Sequence, residues 1–407
     1  MRRCEIVEGN NYLNDAAVDA LKKQRFNPYT IEGQKRPVQV IIPILFTITQ
    51  DIDIREYERR SIVRTAEALL RREPDPITHY HSDRSPGGPQ VYYSEGRSWW
   101  PQEGDSGAAY LYLDGRYNPD AFRDHADALA VFGETVPALT AAYRITGKEK
   151  YAETALTHVR AWFINETTRM EPHLQHAQAI PNRTPGRDTG IYEGLHLVEL
   201  VRSLPLLETY LDHEEKAALR NWFREYAGFL LHHEHGISIR ERLDVYGNAW
   251  LLQVSVLADY LGDKEMEAIA GTYYRELLLP ALAGASSPLY RNGVNRSFSD
   301  NIFLNADLLA MNAQVLSNGH SDLWQWKFGG GRSLITLISY MHQEIIREEL
   351  KTEDHYRGRF LSLLFAGLAY ENNEYLELWR ALEDRFRENT DPPLRQPVLW
   401  TDSDDER

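Results

Sequence analysis

From about Asp120 onward, apolar residues recur at three- and four-residue spacing while two-residue alternation is scarce, a pattern that predicts amphipathic helices rather than strands. One local form occurs four times: Ala142-Tyr143 to Thr146-Gly147-Lys148, Leu207 to Tyr210-Leu211-Asp212, Leu257 to Leu261-Gly262-Asp263, and Leu368-Ala369-Tyr370-Glu371-Asn372-Asn373. Each ends one apolar-periodic run and begins the next. Gly or Asn relieves a left-handed backbone at the helix end, and Asp, Asn or Lys-Glu opens the following helix, so the few residues between suit an antiparallel reversal. Repeated helical hairpins predict a stacked or closed α/α array. Glu214-Glu215-Lys216-Ala217-Ala218-Leu219 keeps one polar face, whereas Asn248 to Val254 is apolar nearly all round, which predicts an outer and an inner ring of helices.

Residues 72–118 break this pattern. They are dense in Pro, Gly, Ser, Tyr and Trp and end at Asn118-Pro119, a pair suited to starting the next helix. Loops this long are functional or disordered. The aromatics Tyr92, Tyr93, Trp99, Trp100, Tyr110 and Tyr112 predict an ordered one. No shift in composition marks an internal boundary, so residues 1–390 read as one all-α (α/α)-barrel or toroid domain with a long ordered N-terminal loop region, followed by a polar, acidic and poorly ordered tail over 391–407.

With 407 residues, 43% hydrophobic, the chain can bury a large core, and its formal charge of −15 disfavours non-specific binding to nucleic acid or anionic lipid. Cys4 is the only cysteine, which excludes an intrachain disulfide and a Cys-rich metal site. The N-terminal residues lack the apolar run of a signal peptide, and the stretch from Val38 to Ile48 is short and holds Pro43. The expectation is a soluble, cytoplasmic protein.

The order Ser98-Trp99-Trp100-Pro101, Asp114-Gly115-Arg116-Tyr117-Asn118-Pro119, Thr168-Arg169-Met170-Glu171-Pro172, Ala177-Gln178-Ala179-Ile180-Pro181 and Gly186-Arg187 resembles the alginate-lyase-type superfamily of polysaccharide lyases, as does Gly331-Arg332-Ser333-Leu334 further on. That resemblance implies an α/α toroid with a cleft and β-elimination on uronate polymers. Such chemistry needs donors that neutralise the carboxylate, so that the carbon beside it can lose a proton, and a Tyr or His as base and acid. The family's usual sites are an Asn-Asn-His-Gly segment ahead of an inner helix and a later Arg and Tyr pair. Here the first reads Asp244-Val245-Tyr246-Gly247, and the second falls in Arg291 to Asn301, with Asn301 near the Tyr position.

A rebuilt site therefore takes Tyr246 as acid and base, Arg296 as a holder of an anionic group and Asp244 as an orienting carboxylate. Substrate-binding candidates are Gln178, Arg187, Trp99, Trp100, His176, Asn248, Arg291 and Asn301. Several have structural readings beside the functional one: Asp244 as a helix cap, Gln178 as a loop brace, the tryptophans as pins for the long loop. The run His232-His233-Glu234-His235 reads as a helix end rather than a metal site. No metal or cofactor is expected. The expected function is a carbon-oxygen lyase acting on an oligo-uronate or on a small carboxylated metabolite in biosynthetic tailoring, as distinct from a glycoside hydrolase with a carboxylate pair or a non-catalytic binder. Its partner would be that small-molecule or oligosaccharide substrate, with no nucleic acid or membrane; no sequence feature bears on oligomeric state.

Overall fold

The computed structural model describes residues 30–31, 34–35, 52–104, 107–287, 296–317, 321–347, 360–382 and 396–401, with the side chains of 30, 31, 35, 296–301 and 347 outside that description. The chain divides into two units, Met1–Asp51 and Ile52–Arg407, a division inside the stretch read from sequence as one domain. In the first unit, β1 (Thr30–Ile31) pairs antiparallel with β2 (Gln34–Lys35).

The second unit is helical. It opens with α1 (Ile54–Leu69), capped by Asp53. The hairpin of α2 (Asp124–Thr146) and α3 (Glu149–Val159) turns at Gly147, whose φ of 66° is left-handed. A 3-10 segment, Asp188–Leu197, leads into α4 (Val198–Leu207), and Asp212 with Glu215 forms a reciprocal cap on α5 (His213–His232). After the short α6 (Glu234–Arg240), α7 (Val245–Leu261) and α8 (Lys264–Tyr273) turn at Gly262 and restart on Asp263. Then follow α9 (Leu279–Ala283), α10 (Arg296–Leu316), α11 (Leu334–Arg347), and the hairpin of α12 (Leu361–Ala369) with α13 (Asn373–Ala381), restarted by the Asn372 side chain. All four reversals read from the sequence are present, because each rests on caps that are local to the chain.

Helices α2, α4, α7, α10 and α12 pack side by side in that order and form the inner layer of an α/α toroid. Two buried contacts fix the direction of α7 against α10: Asn248 meets Asn305 and Ser255 meets Asn312, both pairs 57 residues apart. Equal spacing means parallel helices in register. Their amides satisfy one another within an otherwise apolar interface, so the polar ladder specifies the register without leaving an unpaired group. From Gly247 to Ala258 every residue of α7 is buried, as its lack of a polar face predicts.

Ring contact between Tyr57 of α1 and Trp379 of α13, 5.3 Å between centroids, brings together the first and last α-helices among the described residues. The predicted tail needs correction. Within 391–407, Val398, Leu399 and Trp400 are buried; the Trp400 indole donates to Glu199 (2.9 Å), and Arg144 and Gln314 near the C-terminal ends of α2 and α10 donate to carbonyls of Thr401 and Trp400. Three consecutive apolar residues outweigh the acidic composition around them and plug the end of the inner layer opposite the start of α7. The long segment is ordered as expected, with Tyr92 and Tyr93 buried; β3 (Tyr93–Glu95) runs parallel to β6 (His176–Ala179), and β4 (Trp99–Trp100) antiparallel to β5 (Leu111–Tyr112). Among the described residues, no helix is long and apolar enough to cross a membrane.

Candidate active site

The N-terminus of α7 forms one side of the site. Asp244 accepts from the backbone N–H of Tyr246 (2.9 Å), which caps the helix, and the same carboxylate holds Arg242 through Nη2 (2.7 Å) and Nε (3.1 Å). That grip lays the Arg242 guanidinium across the Tyr246 ring, with Cζ 4.5 Å from the centroid. Tyr192 meets the ring edge-on at 5.7 Å. The Tyr273 hydroxyl lies 2.7 and 3.2 Å from the carbonyl oxygens of Arg240 and Arg242 and so fixes the turn that carries them. The Tyr246 hydroxyl itself makes no hydrogen bond among the described residues.

The other side is built on Gln178. Its φ of 56° is left-handed, an uncommon conformation for a side chain of this size. Four hydrogen bonds hold it there: its N–H donates to Ser94 Oγ (2.9 Å), its carbonyl accepts from Arg187 Nε (2.8 Å), its Oε1 from Arg187 Nη2 (3.1 Å), and its Nε2 donates to Glu193 (2.6 Å). Glu193 is fully enclosed and also accepts from Tyr92, Ser94 and Arg123. Burial pushes its carboxyl up, but the Arg123 charge and the hydrogen bonds from Ser94, Arg123 and Gln178 outweigh that, so it lies below the usual carboxylate range.

Arg187, aimed by Gln178, is half-buried and has no carboxylate within ion-pair distance among the described residues. Burial pushes its pKa down, and the Tyr246 phenol is the group whose charge it feels most. Beside it stands Trp99, with the guanidinium carbons of Arg187 and Arg183 at 5.8 and 5.2 Å from its ring and Tyr112 at 5.5 Å. Tyr112 is 56% exposed. A cationic group, a phenol and an aromatic wall thus lie near one another.

The alginate lyase family model matches residues 77–350, well over half the chain. The chain belongs to the alginate lyase family. Its fold is similar to that of an alginate lyase from Bacteroides ovatus, with a TM-score of 0.68 and 20% identity over 85% of this chain and 95% of that one. Alginate lyase A1-III from Sphingomonas species A1 aligns at 14% identity over 81% of this chain and 89% of that one, with a TM-score of 0.47. No curated protein matches the sequence significantly.

Within this alginate lyase family member, Tyr246 and Asp244 lie near Arg187, Gln178 and Trp99, though their contacts differ from those expected. Asp244 is both cap and orienter. Gln178 is a brace, since all its polar atoms are committed to the protein. Trp100 turns to the opposite face of its strand, where its indole donates to the Arg116 carbonyl (3.2 Å). His176 binds the Pro185 carbonyl (3.2 Å) and packs by His173, and burial lowers its pKa. Asn248 as a substrate ligand is corrected: it is fully buried and bonded to Asn305 and Asn312, one turn too deep in α7 to face the cleft. Arg291 lies outside the described residues, and Arg296 and Asn301 lie in the first turns of α10, where only the backbone is described. His233 caps α6 by accepting from the His235 N–H (3.1 Å), in keeping with a helix boundary, and among the described residues no three His, Cys, Asp or Glu side chains are placed to hold a metal.

Sequence reasoning missed Arg183 and Glu193 and left Arg242 and Tyr112 without roles. Glu193 carried a signal: it is the lone acid in the run Gly190 to Val198, and a carboxylate there must be paired if it is buried.

Proposed function

We propose that this alginate lyase family member cleaves an oligo-uronate by β-elimination at a rebuilt site, with Arg187 as the carboxylate holder and Tyr246 as the group that moves the proton. The observation that carries this reading is Arg187: a half-buried guanidinium, held at two points by Gln178, with no counter-carboxylate among the described residues. A carboxylated sugar supplies the missing anion. Charge-assisted pairing at Arg187 withdraws electrons from the carboxylate and makes the adjacent carbon a stronger acid. The Tyr246 oxygen, as phenolate, takes that proton, the carbanion collapses to a carbon–carbon double bond, and the 4-oxygen leaves with the proton carried by Tyr246. Arg242, packed over the ring, holds its orientation during the step. Trp99 and Tyr112 supply the apolar faces that a pyranose ring packs against.

Hydrolysis by a carboxylate pair has weaker support, because Asp244 is tied to Arg242 and the helix, Asp188 to Ser238 (2.7 Å), and Asp114 to Tyr112 (3.2 Å). The test is ultraviolet absorbance during incubation with mannuronate, guluronate and glucuronate oligomers. Rising absorbance, from the unsaturated product, is expected. Chain cleavage without that rise overturns elimination, and no cleavage across the panel overturns the oligo-uronate in favour of a small carboxylated metabolite.

A further inference from the structure

We propose that a cavity whose lining includes neither Tyr246 nor Arg187 is a second site, one that takes a neutral, hydroxyl-rich sugar unit. The cavity has a volume of about 550 Å3 and opens between Tyr117 on one rim and the first turn of α2 on the other. That volume lies within the range of about 300–1,000 Å3 usual for small-ligand sites.

Its most exposed aromatic side chain is Tyr117, with 70% of its surface open to solvent and the Arg97 guanidinium 6.0 Å from its ring centroid. The turn beneath it is rigid. Asn118, buried directly after Tyr117, donates its N–H to the Arg97 carbonyl (2.7 Å) and its side chain to the Trp99 carbonyl (2.8 Å), and accepts from the Asp120 N–H (3.0 Å). An exposed ring on an anchored turn is a preformed platform for the C–H face of a sugar, at little entropic cost on binding.

Charge decides the class of ligand. Of the three arginines that line the cavity, Arg84 is engaged by Glu95 (2.5 and 3.0 Å) and Arg123 by Glu193 (2.6 Å). Arg97 alone forms no ion pair among the described residues, and it lines the cavity together with the exposed Asp120, Asp124 and Asp127. Three carboxylates accept hydrogen bonds from hydroxyl groups and repel a uronate, while Arg97 donates to a ring or hydroxyl oxygen. This cavity therefore disfavours the anionic ligands that Arg187 attracts. The two share a wall, because Arg123 and Gln178 meet on one oxygen of Glu193. A saccharide with neutral and acidic units, or two separate ligands, would occupy both.

Saturation-transfer NMR on the full chain tests this independently of turnover, with methyl glycosides of glucose, galactose and mannose as probes and sodium glucuronate as the charged control. Transfer to at least one neutral glycoside is expected, reduced several-fold in Tyr117→Ala and in Arg97→Ala and retained in Tyr246→Phe. Both rim side chains are exposed, so a melting temperature equal to the parent's shows that the loss is not unfolding. The proposal is overturned by no transfer to any neutral glycoside, by transfer that survives Tyr117→Ala, or by glucuronate binding there equally well. None of these outcomes bears on whether Tyr246 performs elimination.

Discussion

Gln178 grips Arg187 at two points, its backbone carbonyl (2.8 Å) and its side-chain oxygen (3.1 Å), while its amide nitrogen is anchored on Glu193 (2.6 Å). The direction of the Arg187 guanidinium is thus set by a buried carboxylate one residue removed. Gln178→Gly tests the link, since glycine accepts the φ of 56° and only the side-chain contacts are lost. KM should rise about tenfold with a smaller fall in kcat, the size of one charge-assisted hydrogen bond. Steady-state kinetics with an unchanged KM would mean that Arg187 holds its aim without Gln178.

Tyr246→Phe removes one oxygen that has no hydrogen-bond partner among the described residues. Melting temperature should match the parent, while kcat falls by about 10²–10⁴, the usual contribution of one acid and base group. Turnover near the parental rate would transfer the proton step to another residue.

Asp244 has two duties that a single substitution separates. Asparagine is as good a helix cap as aspartate, so Asp244→Asn should leave stability nearly unchanged, whereas Asp244→Ala should cost about 1 kcal/mol. Both release Arg242 from its ion pair (2.7 Å) and from its place on the Tyr246 ring. If Arg242 orders that ring, kcat should fall about tenfold in both variants. Loss in Asp244→Ala alone would reduce Asp244 to a cap.

What was legible in the sequence was local. Gly147, Gly262, Asp212, Asp263 and Asn372 each make their turn with neighbours a few residues away, so the helical hairpins were readable. The inner ring's register was not, because Asn248 meets Asn305 only after two helices have packed in parallel. For the same reason Asn248 looked like a ligand: beside Tyr246 in sequence, it turns away into the helix interface. Gln178 could be placed near the site from its motif, but its bracing role depends on a left-handed backbone and on Glu193, neither of which spacing reveals. Trp400 shows the converse error, in which average composition of a segment concealed one buried aromatic anchor.

Asp307, on α10, gives the fold a pH dependence of its own. Its carboxylate accepts from the Ser362 N–H (2.9 Å) and hydroxyl at the start of α12, and burial pushes its pKa from 3.8 up to about 7. Because the folded value is the higher one, the folded state binds the proton more tightly. The contribution to stability is full below 3.8 and is lost as pH rises through about 7. Asp307→Asn keeps an acceptor for Ser362 and cannot ionise, so it should melt progressively higher than the parent as pH increases across that window, by a few kcal/mol at most in the alkaline limit. Thermal melts of the two proteins over the same pH series provide the check. Parallel curves would show that Asp307 stays ionised in the fold, held by the N-terminus of α12 strongly enough to offset its burial.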